Sequence, residues 1–319
     1  MSWFGAEIDG PLVLTRAVHF AASATTAGVL IFRTFVAEPS LGPSPEGYTI
    51  VRSRMAALAW VGLAIAVTTG LVWLGLQTMS ITGLSSGEAI KSGAMLIVVN
   101  ETQFGLVSEI RAVLAIMLAA CLILSRFILS RWLALLAALG LMAAIAWTGH
   151  AGSTLGQLGN LHLAADILHV GAASVWIGGL VGLSIIFAVG RHRPALEWEP
   201  LRLDAVRRFS TLGIISVATL IASGIVNASI LVGSFRGQLV TDYGQLLLLK
   251  IAVFVIMVAF ATVNRLLLTP RLALAAEGET EPTLAALTRN TLIEIALGLV
   301  IFAIVGVLGT LHPAIHLVK

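Results

Sequence analysis

The sequence predicts an all-α polytopic membrane protein of about eight transmembrane helices, arranged as two tandem four-helix repeats related by a pseudo-two-fold axis along the membrane normal. Three observations predict it. Apolar residues make up 58% of the 319 positions and charged residues 11%, with a mean hydropathy of +0.99, well outside the range of soluble domains. The apolar residues gather into eight runs of spanning length. The same landmark residues recur in both halves of the chain at constant offsets.

A helix that crosses a bilayer needs about 20 mostly apolar residues, and the runs at 11–37, 55–79, 104–127, 131–150, 161–189, 209–233, 243–267 and 286–311 meet that requirement. The first follows Glu7 and Asp9 rather than a basic stretch and is too long for a signal-peptide core, so it reads as a retained helix. Between the second and third runs, residues 83–103 hold only the short apolar piece 94–99, which fits an outer lid lying in the interface. Lys and Arg concentrate in cytoplasmic loops. Arg33, Arg52, Arg54, Arg126, Arg131, Arg191, Arg193, Arg202, Arg207, Arg208, Arg265, Arg271 and Arg289 fall on one side of an eight-span arrangement, 13 of the 19 basic residues. That side is expected to be cytoplasmic, which places both termini in the periplasm.

The repeat is read run by run. His19 and Gly28 of the first run match His169 and Gly178 of the fifth at an offset of 150; Arg54 and Gly70 match Arg208 and Gly224 at 154. Phe104, Gly105, Arg111 and Arg126 match Tyr243, Gly244, Lys250 and Arg265 at 139, and Arg131 and Gly140 match Arg289 and Gly298 at 158. The division is therefore residues 1–150 and 151–319. An even number of spans per half gives both copies the same orientation, so paired residues should lie at similar depth.

The basic residues are spread over loops, which argues against nucleic acid as a partner. The single cysteine, Cys121, allows neither an intramolecular disulfide nor a CxxC motif. Metal binding must use other donors, and six of the seven histidines, His19, His150, His162, His169, His312 and His316, fall in the outer half. His162, Asp166 and His169 are spaced i, i+4 and i+7 on one helix face, with His169 about 10 Å deeper than His162. His150 stands near enough in sequence to reach His162, and His312 and His316 close the last run on the same side. Imidazole suits copper, zinc, iron and nickel. Charges in the bilayer cost about 2.5–3.5 kcal/mol each, so Asp166 is expected to pair with Lys250, Arg16 to form a structural ion pair or snorkel to the outer headgroups, and Glu294 to be satisfied by Asn264 or a backbone group. Arg111 and Lys250, which recur beside His19 and His169, are read as either structural or functional.

Several segments together resemble the copper resistance protein D family of bacterial inner-membrane proteins: Thr148-Gly149-His150-Ala151, Asp166 to His169 with the run through Trp176 to Leu180, Arg208-Phe209-Ser210-Thr211, Tyr243-Gly244-Gln245 with Lys250, and Asn264-Arg265. The resemblance covers most of the fourth to eighth runs, and in the first half it rests on His19 and the repeat. It implies a protein of copper homeostasis in the inner membrane that works beside a periplasmic copper carrier protein and moves copper across the membrane.

The expected function is copper binding at the periplasmic face through His150, His162, Asp166, His169, His312 and His316, in a transporter or metal-binding protein rather than an enzyme. The alternative is a redox protein holding haem b through His19 and His169, whose repeat-equivalent positions could ligate iron; the fifth run and the Tyr-Gly with Lys also resemble a four-helix membrane family linked to protoporphyrinogen oxidation. A third reading is a scaffold subunit whose polar groups serve helix packing. Membrane lipid is the surrounding partner in each case.

Overall fold

The computed structural model describes residues 2–3, 6–7, 9–42, 45–191, 195–274 and 280–317. His192, and the side chain of His316, lie outside the described residues. Eight helices are long and apolar enough to cross a bilayer: α1 Gly10–Leu41, α2 Glu46–Thr82, α3 Gln103–Ile123, α4 Ile128–Thr148, α5 Gly156–Gly190, α6 Glu197–Leu231, α7 Asp242–Leu274 and α8 Glu281–Leu308. The chain is a polytopic all-α membrane protein. Its outward faces carry large aliphatic side chains such as Leu71, Ile116, Ile225, Leu249 and Val255, all exposed. Such a surface suits lipid, which leaves association to close packing rather than to the hydrophobic effect.

α1 and α5 form the centre. α1 packs on α2, α4, α5 and α8, and α5 packs on α1, α4, α6 and α8. Two glycines let them touch. A Cβ on Gly28 would stand 2.8 Å from the Cα of Gly178, and a Cβ on Gly178 would strike the Gly28 backbone in return. Small residues at a crossing point allow backbones to approach and gain van der Waals contact.

The connections into α3 and α7 are built alike. A short helix, Ala94–Glu101 or Phe235–Val240, precedes a threonine cap in each case. Thr102 Oγ1 donates to Val98 O (2.6 Å) and accepts from Gly105 N–H (3.0 Å). Thr241 Oγ1 donates to Gly237 O (2.6 Å) and accepts from Gly244 N–H (3.0 Å). The capping hydroxyl satisfies one orphan donor of the new helix, and the glycine leaves room for the preceding carbonyls, which a Cβ would strike. The interfacial piece of residues 83–103 is thus the helix Ala94–Glu101, preceded by Ser86–Lys91. In the latter, Ser85 N–H and Oγ–H donate to Glu88 Oε2 at 3.0 and 2.6 Å and hold that carboxyl below its usual range.

α2 and α6 start at Glu46 and Glu197, earlier than the apolar runs at 55 and 209. Their first turns are polar helix that precedes the apolar runs at the Arg33 end of the bundle, where other side chains tie the helices together. Glu38 pairs with Arg33 at 3.7 Å and with Arg131, and Asp204 accepts from Ser40 Oγ (2.8 Å) and Arg208 Nε (2.7 Å). Deeper in the bundle, Asn264 Nδ2 donates to Glu294 Oε1 and Asn290 Nδ2 donates to Asn264 Oδ1, both at 2.8 Å; Trp176 also donates to Glu294. Of the two partners its sequence position offered, Glu294 takes Asn264 rather than a backbone group, and this network joins α5, α7 and α8.

Candidate functional site

The other end of the bundle gathers the start of α1, the end of α2, the start of α3, the α4–α5 connection and the end of α8 around one cavity of about 620 Å³. Of the sequence-predicted residues, His150 lines this cavity, and His19, His162, Asp166 and His169 stand on α1 and α5.

His150 opens a one-turn helix, His150–Ser153, that folds back over the start of α5. Gly159 allows the fold-back, since a Cβ there would strike the Thr154 carbonyl. His150 Nε2 lies 3.4 Å from Leu308 O, and its ring meets Tyr243 edge-on at 6.0 Å. A carbonyl only accepts, so Nε2 carries the hydrogen and Nδ1 the lone pair. His162 is expected from its position to sit at an open mouth, yet it is 1% exposed, because the α4–α5 connection covers it. Its Nδ1 is 2.8 Å from Thr154 Oγ1, and that hydroxyl donates to His150 O at 3.1 Å. With its one proton committed, Thr154 accepts from His162 Nδ1–H, which leaves the lone pair on Nε2.

The same device holds the two deeper histidines. His169 Nδ1 is 3.0 Å from Ser223 Oγ, which donates to Thr219 O at 2.6 Å. His19 Nδ1 is 2.9 Å from Thr69 Oγ1, which donates to Ile65 O at 2.6 Å. His169 therefore carries Nδ1–H and presents Nε2 as the basic nitrogen, while at His19 Nδ1 the Thr69 hydroxyl is joined by a guanidinium donor. A cation stands on each ring: Lys250 Nζ is 3.4 Å from His169 Nε2, and Arg111 Nη2 is 3.5 Å from His19 Nδ1. His19 Nε2 also meets Ser23 Oγ at 3.4 Å. On His169 the hydroxyl and the ammonium thus take opposite nitrogens, whereas on His19 Thr69 and Arg111 both stand at Nδ1.

Thr69 and Ser223 were not singled out from the sequence, although a signal exists. Each immediately precedes a repeated glycine, Gly70 or Gly224, and they share its offset of 154. Each glycine faces its histidine ring: a Cβ on Gly70 or Gly224 would stand in ordinary contact, 3.6 or 3.5 Å from a histidine Cε1.

Asp166 accepts from Asn227 Nδ2 at 3.2 Å. The expected Asp166–Lys250 ion pair is not among the contacts of the described residues, since Lys250 turns to His169 while the two charges interact through space. The i, i+4, i+7 face is thus shared among partners: His162 serves the α4–α5 connection, Asp166 serves α6, and His169 serves α6 and α7. His312 is exposed beyond α8. Among the described residues, no group of three or more His, Cys, Asp or Glu side chains is gathered as a metal cage.

Arg16 differs from its sequence expectation. It does not snorkel but is 6% exposed, with its guanidinium carbon 4.9 Å from the Trp73 ring centroid and 5.6 Å from that of Phe20. Arg111 rests on the same Trp73 at 5.6 Å. Cation–π contact returns about 0.5–2 kcal/mol per guanidinium, less than the about 2.5–3.5 kcal/mol each charge costs in the bilayer.

The geometry stands beside clear sequence relationships. The family profile described as Copper resistance protein D-like, N-terminal domain matches residues 7–160, and that of Copper resistance protein D matches residues 203–308. The chain is 28% identical to Copper resistance protein D of Pseudomonas syringae pv. tomato over 82% of its own length and 84% of that protein. It is 31% identical to Copper transport protein CutJ of Bacillus subtilis (strain 168) over 79% of its length and 46% of that protein. It is 34% identical to Inner membrane protein YebZ of Escherichia coli (strain K12) over 53% of its length and 55% of that protein.

Proposed function

Because the chain belongs to the copper resistance protein D family, we propose that it is a multi-pass inner-membrane protein that takes up copper at the His150 end of its bundle and passes it inward. One observation carries the reading. Thr154 Oγ1 donates to the backbone carbonyl of His150 and accepts from His162 Nδ1–H, so that His162 presents Nε2 as a lone-pair donor beside the turn that carries His150. Neutral imidazoles bind a copper ion without adding a buried negative charge. His312 and His316 follow α8 at that end and would assist capture from a periplasmic copper carrier protein, with both chain termini on the periplasmic side.

Inward passage would use Asp166 and His169. Lys250 occupies His169 Nε2, so an arriving ion must displace the ammonium, and Asp166 lies where it can receive that charge. The duplicated contacts around His19 and His169, and at the corners of α3 and α7, favour a tandem repeat of residues 1–150 and 151–319 with a pseudo-two-fold relation. The role is binding and transport rather than catalysis. The alternative, haem b on His19 and His169, uses rings whose Nε2 atoms already face Ser23 and Lys250, and an iron would have to displace both.

Copper retained by the purified protein tests the reading. Wild type is expected to retain copper after desalting, and the His150→Ala, His162→Ala double variant to lose at least half of it while keeping its helical content. An unchanged copper-to-protein ratio overturns the site, and a Soret band in wild type with no retained copper transfers the function to haem.

A further inference from the structure

The cavity at the His150 end contains a charge that copper binding does not explain. Arg16 lines it, is 6% exposed, and makes no hydrogen bond or ion pair among the described residues; its Nε is buried without a partner. The guanidinium tip reaches the cavity beside Gly309, whose missing side chain leaves it room, because a Cβ there would strike Arg16 Nη2. Asp9 is the carboxylate among the lining residues, and its Oδ1 is engaged as the cap of α1, accepting from Leu12 N–H at 3.1 Å.

The repeat makes the imbalance explicit. At the offset of 150 that relates His19 to His169, Arg16 corresponds to Asp166. In the second half a carboxylate therefore accompanies Lys250. In the first half, Arg111 shares Trp73 with a second guanidinium, and Arg111 Nε is also buried without a partner. A buried cation in a membrane protein is ordinarily paired, and guanidinium recognises planar oxyanions through its fork of donors. Gln77, Ser80, Thr102, Gln103 and Thr310 line the same cavity and supply neutral hydrogen-bonding groups around the charge.

We propose that this cavity is an oxyanion-binding site anchored by Arg16, taking a carboxylate or phosphate group that bonds the guanidinium, which no described side chain bridges. The group can belong to a small soluble acid or to the headgroup of an anionic lipid. The site stands on Arg16 and its surroundings and does not depend on the copper reading.

The test uses the full chain in phosphatidylcholine nanodiscs, titrated calorimetrically with citrate, and in a second arm the retention of phosphatidylglycerol by native mass spectrometry. One or both probes are expected to bind wild type, and Arg16→Gln to weaken that binding at least tenfold. Gln77→Glu, which leaves Arg16 on Trp73 and adds a like charge to the anion in the cavity, is expected to weaken it comparably. Citrate binding alone identifies a soluble acid, and phosphatidylglycerol retention identifies a lipid headgroup. Failure of both probes to bind wild type, or equal binding by all three proteins, overturns the proposal.

Discussion

Replacing Gly28 with leucine is expected to abolish accumulation of folded protein. The substituted Cβ would stand 2.8 Å from both the Cα of Gly178 and the carbonyl carbon of Ser174, atoms of a neighbouring backbone that cannot turn aside as a side chain can. Overpacking a well-filled core costs about 1–3 kcal/mol when side chains give way, and a backbone collision at the central crossing exceeds that range. α1 and α5 contact most of the other spans, so prying them apart disturbs the whole bundle. Gly178→Leu is expected to behave alike. Gly213→Leu, at a position with open space around it, is expected to fold as wild type. Detergent-extracted yield and thermal melting of the three variants check this, and normal melting of Gly28→Leu would mean that the two helices do not meet at these glycines.

Replacing Thr154 with valine is expected to lower copper affinity about 10–100-fold, the usual effect of removing a group that orients a metal-binding histidine. Valine keeps the shape but removes the oxygen that accepts from His162 Nδ1–H and the hydrogen given to His150 O. The His162 ring then loses the bond that fixes its tautomer, and Nε2 no longer presents its lone pair in a fixed direction. Serine restores the hydroxyl and is expected to restore affinity. Competition with a copper chelator measures the change. A valine variant with wild-type affinity would show that the hydroxyl does not orient the ligand.

Most of the fold was legible because it depends on hydropathy. Each apolar run became a helix, and the ends that moved farthest were those where hydropathy carries no signal: Glu46, Arg52 and Arg54 open α2 as polar helix, as do Glu197, Glu199 and Arg202 in α6. Repeated landmarks proved equally informative about contacts. His19 and His169 have the same hydroxyl partner and a cation apiece, and Phe104 and Tyr243 follow the same threonine corner.

The site was less legible, because depth along a helix can be read from sequence whereas the direction of a side chain is set by its neighbours. Arg16 sits at the depth expected for snorkelling but is turned inward by Trp73 from α2 and by the space at Gly309 beyond α8. Asp166 and Lys250 were placed at compatible depth, yet Asn227 and His169 stand nearer to them. Thr69, Thr154 and Ser223 escaped notice since a hydroxyl in a helix usually bonds its own backbone. These do so, and in committing their proton they become acceptors for histidine.

The most direct test is the X-ray absorption spectrum of the copper-loaded protein. Scattering from two imidazoles is expected in wild type, falling to one in His162→Ala, with little contribution from sulfur. A shell dominated by sulfur, or one that His162→Ala leaves unchanged, would place the copper elsewhere and contradict the site formed by His150 and His162.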